Sequence, residues 1–112
     1  MLQTHDYVEP DFNLGKNVRC LMLTREFLKE KTRGPSNFLG KVTGKPVQLM
    51  EQVHGVKIKT VSNYLDEPLE GTDGIYTKSR DFALGVKTAD CIPLALSAED
   101  GSEIALLHVG WK

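Results

Sequence analysis

Long apolar runs are missing from this 112-residue chain. Nothing approaches the ~20 continuous apolar residues that span a bilayer, so a membrane is not expected as a partner. An excess of one charge is missing too. Fourteen basic side chains against fifteen acidic ones leave a formal net charge of −1. That balance argues against nucleic acid, because a surface for a polyanion needs a basic excess. The first seventeen residues carry Asp6, Glu9 and Asp11 and no apolar core, which excludes a secretory signal. Cysteine is scarce, with only Cys20 and Cys91, 71 positions apart. Without an export signal, a reducing cytoplasmic setting is expected rather than a disulfide framework. Internal repeats, low-complexity tracts and linkers are absent as well. The chain reads as a single domain able to bury roughly two-thirds of its unfolded surface.

What is present is mostly strand. Residues 1–17 read as an irregular lead-in broken by Pro10 and Gly15. Residues 18–24 are nearly continuously apolar apart from Arg19, as in a buried strand. Residues 25–31 suit a short helix, after which Gly34, Pro35, Gly40, Gly44 and Pro46 enforce loop. Strands are expected over 47–53, 56–61, 74–77 and 82–86, with an acidic loop over 64–71. The alternation at 56–61 marks that strand as half-exposed. Two apolar runs, 92–96 and 104–107, flank a turn at 98–102 containing Asp100-Gly101 and read as a β-hairpin. About seven strands with almost no helix predict the strand-rich half of a larger α+β protein. Helices to cover its sheet are not evident, so at least one apolar face is expected to be exposed.

Three chemically capable side chains stand at strand ends, where sites are commonly displayed: His54, Cys91 and His108. A hairpin folds back on itself, so Cys91 and His108, 17 positions apart, are expected side by side. A thiol and an imidazole together make a metal half-site or a nucleophile–base couple. Each residue also has a plainer reading: Cys91 as a small core thiol, His108 as a core imidazole, His54 as a turn residue. The spacings of 37 and 17 match no generic zinc finger or ribbon. Asp73 and Asp90 are the carboxylates nearest these residues, and both also suit turn chemistry. Lys112 stands one residue into a possible helix start, where it could hold an anion, and Trp111 reads as packing. Cys20, inside an apolar run, reads as core.

Four motifs narrow the choice. Gln52-Val53-His54-Gly55, Thr72-Asp73-Gly74, Thr88-Ala89-Asp90-Cys91-Ile92-Pro93 and His108-Val109-Gly110-Trp111-Lys112 stand in the order and spacing of one family. The chain resembles the laccase-domain, or multicopper polyphenol oxidase, family, whose members are also described as zinc-dependent purine nucleoside phosphorylases with adenosine deaminase activity. The resemblance covers residues 47–112. Over residues 1–46 the match is poor: Thr24-Arg25 echoes a family loop, and the stretch from Gly34-Pro35 to Asn37-Phe38 resembles a remnant of the next family segment.

The resemblance implies a four-layer α/β/β/α fold with a mixed sheet, of which this chain would be the N-terminal half with few helices. It implies zinc bound by His54, Cys91 and His108, the catalytic set of three protein ligands with a fourth position open. Deamination at the adenine C6 needs water made nucleophilic near neutral pH, which zinc supplies. Phosphorolysis needs phosphate at the sugar carbon and a proton for the departing base, with Asp90 as relay. Asp73, Arg25 and Lys112 are the implied substrate and phosphate contacts, although the family carries Arg where Lys112 stands. The substrates implied are adenosine, inosine or methylthioadenosine together with phosphate.

Copper is the alternative metal. Four coppers, however, call for on the order of ten imidazoles and a cysteine, and this chain has three histidines. Two rival readings stand beside the nucleoside one. The first is a cysteine hydrolase or deamidase with Cys91 as nucleophile and His108 as base. The second is a zinc-binding half-domain that turns nothing over. Because family members are about twice as long, a second chain or a C-terminal half is expected to complete the site.

Overall fold

A computed structural model describes residues 2–3, 7–9, 14–23, 43–88 and 91–110. Among these, the regular elements are short strands in three sheets, with almost no helix. The first sheet joins β1 (Leu2–Gln3), β2 (Tyr7–Glu9) and β3 (Met22–Leu23), all antiparallel. Two expectations are corrected here. The lead-in at 1–17 is not wholly irregular, since it supplies β1 and β2. The strand expected over 18–24 is short and not buried: Arg19 and Met22 are exposed. Its apolar run misleads because Arg19 turns outward to grip Glu9 through two hydrogen bonds of 2.9 and 2.8 Å. Cys20 is only half-buried and lies outside the core. The helix expected over 25–31 falls outside the described residues.

The second sheet pairs β4 (Val47–Gln48) with β7 (Ala83–Leu84) in parallel. The third and largest runs β5 (Ile58–Thr60), β6 (Gly74–Thr77), β9 (Ile104–Val109) and β8 (Ile92–Ser97), in that spatial order. β5 and β6 are parallel, while β9 runs antiparallel to both β6 and β8. The sheet is therefore mixed, as expected. A four-layer stacking is not visible among the described residues.

Between these sheets lies a small core of Met50, Val61, Leu69, Ile75 and Phe82, with Tyr64, Leu84 and Val86 against it. Gln48 is fully buried at its margin. The polarity is tolerated because every donor and acceptor is used. Its amide donates to Leu49 O and Glu67 O, and its carbonyl accepts from the Leu65 N–H.

Side-chain alternation decides which face of the large sheet meets that core. Ile75, Thr77 and His108 point inward and are buried. The opposite parity carries Ile92, Leu94 and Leu96 on β8, Val109 on β9 and Ile58 on β5, all exposed, with Ile92 at 63%. One face of the sheet is therefore apolar and bare. The β8–β9 hairpin turns through residues 98–103, closed by an Ala98 N–H to Glu103 O bond of 3.0 Å. The segment at 14–18 clasps that turn: the Gly15 N–H donates to Ser97 Oγ at 2.7 Å and the Lys16 N–H to Glu99 O at 2.8 Å.

Candidate metal centre

Strand register brings the site residues to one end of the large sheet. Gly74 pairs with Leu107, so Asp73 falls beside His108, and the His108 N–H donates to Asp73 O at 2.8 Å. Ile92 pairs with Val109, which sets Cys91 next to the end of β9. The turn carrying His54 precedes β5. All four strands thus meet the site at the same end, two by their starts in parallel and two through the hairpin.

His54, Cys91 and His108 each offer one ligand atom, and these three atoms lie within 4.8 Å of one another. His108 is 7% exposed, Cys91 half-buried and His54 exposed. The two imidazoles meet edge-on, with ring centroids 5.1 Å apart and planes at 70°. Two imidazole nitrogens and one thiol sulfur form a donor set suited to zinc and leave a position for a further ligand. Both cysteines are free of disulfide, so the Cys91 sulfur is available. The cluster is one that could hold a metal ion.

Beneath it sits Asp73, 4% exposed. Its Oδ1 accepts the N–H groups of Val53 and Gly55, both at 3.0 Å. Its Oδ2 accepts the His54 N–H at 3.1 Å and lies 2.8 Å from His108 Nδ1. Burial pushes the Asp73 carboxyl upward, but the hydrogen bonds from His108, Val53, Gly55 and His54 outweigh it and hold the pKa at about 2. The carboxylate is thus ionised at neutral pH. Asp73, which the family resemblance implies as a substrate or phosphate contact, has protein donors on both oxygens.

Gln52 carries no sequence signal beyond its place in a motif. Its amide donates to Lys87 O at 2.6 Å and its carbonyl accepts the Lys87 N–H at 2.8 Å. This two-way clamp ties the segment approaching Cys91 to the segment approaching His54. No periodicity or turn residue in the sequence points to it. The remaining expected site residues, Arg25, Asp90 and Lys112, lie outside the described residues.

Comparison with known proteins adds a second line of argument. The family model described as multi-copper polyphenol oxidoreductase laccase matches residues 24–112. A purine nucleoside phosphorylase of Xylella fastidiosa (strain 9a5c) is 40% identical over 67 residues, covering 56% of this chain and 26% of that protein. The purine nucleoside phosphorylase YfiH of Shigella flexneri is 37% identical over 75 residues, covering 65% of this chain and 29% of that protein. In each case the matched stretch spans under a third of the relative's length. Among solved structures, the Neisseria meningitidis protein NMB0706 superposes with a TM-score of 0.76 at 23% identity, over 95% of this chain and 51% of that one. That likeness carries the fold.

Proposed function

Because the chain belongs to the multi-copper polyphenol oxidoreductase laccase family, we propose that it is the metal-binding part of a zinc-dependent purine nucleoside phosphorylase with adenosine deaminase capacity. The observation that carries this reading is the His54–Cys91–His108 cluster with its three ligand atoms inside 4.8 Å. The curated relatives named purine nucleoside phosphorylase support the reaction class. Zinc held by these three residues would supply a Lewis acid and bring the pKa of a water molecule toward ~7.

The chain's own residues set up the rest. Asp73 orients His108, and Gln52 fixes the approach to Cys91. Adenosine, inosine or methylthioadenosine are the proposed nucleosides. In phosphorolysis a phosphate oxygen bonds to the sugar carbon as the bond to the purine breaks, and the base departs with a proton. Asp90 is the proposed relay for that proton, and Arg25 and Lys112 the proposed phosphate contacts. Lysine neutralises phosphate but cannot grip it bidentately as arginine does.

A second reading has its own support. The His108 ring, adjacent to Cys91 and tied to Asp73, has the nucleophile–base–orienter logic of a cysteine hydrolase. Metal content separates the two. Elemental analysis is expected to find one zinc per chain, falling far below stoichiometric in Cys91→Ser. Phosphate-dependent release of hypoxanthine from inosine, in a preparation that includes the remainder of the fold, should vanish on chelation and return with zinc. Stoichiometric zinc in Cys91→Ser overturns the assignment, and activity that survives chelation but not alkylation of Cys91 favours the hydrolase.

A further inference from the structure

We infer that Asp73 is a positioning residue for the whole cluster: one buried carboxylate fixes both the turn that carries His54 and the ring state of His108. The inference rests on the metal-site reading above, but its geometry is independent of any ion. Val53, His54 and Gly55 direct three consecutive backbone N–H groups at the two oxygens of Asp73, at 3.0, 3.1 and 3.0 Å. Consecutive N–H groups aimed at one anion form a nest, a concavity that needs negative charge at its centre. His54 holds φ at 59°, a left-handed conformation that a non-glycine residue adopts at a cost and keeps only when its surroundings require it. Asp73 is that requirement. Without an acceptor the three N–H groups have no common partner, and the turn has no reason to keep His54 facing Cys91 and His108.

The same Oδ2 that takes the His54 N–H lies 2.8 Å from His108 Nδ1. An ionised carboxylate only accepts, so Nδ1 must carry the proton. In a neutral imidazole that leaves the lone pair on Nε2, the nitrogen free to act as a ligand or a base. The carboxylate is saturated, with two donors on each oxygen and no buried side-chain polar atom left without a partner among the described residues. An amide cannot reproduce this arrangement. If the side-chain carbonyl of an Asp73→Asn variant faced His108, its NH2 would confront the N–H groups of Val53 and Gly55 and the turn would open. If that carbonyl faced the turn instead, the NH2 would confront His108 Nδ1 and drive the proton to Nε2, removing the ligand lone pair. Either orientation misplaces one of the two histidines.

The test uses the full 112-residue chain with 15N-labelled histidine, free of metal, at about pH 8, above the ordinary histidine range. Wild-type protein is expected to show His108 as the Nδ1–H tautomer in long-range 1H–15N spectra, with slow exchange of the 53–55 amides. Asp73→Asn is expected to show either the Nε2–H tautomer or fast exchange at 53–55, and an affinity weaker by about 10–100-fold in zinc titrations. An Nε2–H tautomer in the wild-type chain overturns the inference without any variant, which covers the case in which Asp73→Asn fails to fold. Unchanged tautomer, exchange and zinc affinity in a folded Asp73→Asn also overturns it. If the wild-type chain binds no zinc, the metal reading fails, while tautomer and amide exchange still decide the role of Asp73.

Discussion

At the scale of single residues, the ionisation of Asp73 ties the site to the stability of the fold. Its carboxyl is held at about 2, below its ordinary 3.8. A depressed carboxylate binds fewer protons in the folded chain than in the unfolded one, so it stabilises the fold above the unfolded value. In the metal-free chain that contribution is complete above about pH 4. It is lost as the pH falls through 3.8 toward about 2. Urea midpoints measured across that range should fall more steeply for wild type than for Asp73→Asn, and parallel curves would refute this. Motif resemblance is enough to single out His54, Cys91 and His108, whose spacing alone matches no generic pattern, and the fold brings their ligand atoms within 4.8 Å of one another. The role of Asp73 is not legible in the same way. Its Asp-Gly pair looks like any turn, and only the register of β6 against β9 shows that it lies under His108. Gln52 is hidden for the same reason, since its partner Lys87 is distant in sequence.

Among the elements, the β8–β9 hairpin depends on the clasp that the 14–18 segment makes with its turn. Gly101 has φ at +73°, and a Cβ there would sit 2.0 Å from the Lys16 carbonyl oxygen. Gly44 has a similar φ of +75° but open space around it. Gly44→Ala should therefore cost only the conformational penalty, about 1 kcal/mol. Gly101→Ala should cost more, about 2–3 kcal/mol, because it must also push the clasp away. Equal urea midpoints for the two variants would contradict the clasp. The hairpin and the strand at 74–77 are readable because alternation and an Asp-Gly turn are local signals. Strands β1 and β2 are not, being two and three residues long and defined by pairing rather than by any pattern of their own. The parallel pairing of β4 with β7 is likewise out of reach, since it joins segments 36 residues apart, as in Val47 with Ala83.

For the molecule as a whole, the bare face of the large sheet sets the behaviour in solution. Ile92, Leu94 and Leu96 line an edge strand whose outer backbone groups have no strand neighbour among the described residues. Exposed apolar strands at an edge invite pairing with other chains. Sedimentation velocity of this chain should show self-association that grows with concentration, and Leu94→Lys should shift it toward monomer with little change in melting temperature. A monodisperse wild-type monomer throughout would remove the argument. The gathering of site residues at one end of that sheet bears on exchange kinetics. An ion held by His54, Cys91 and His108 would be anchored at the start of β8, the end of β9 and the turn before β5, and so would tie those three segments together. Because His54 is exposed, a chelator would meet that arm first and the ion would leave one ligand at a time. Whatever steadies the turn before β5 would then lengthen the ion's residence without touching it.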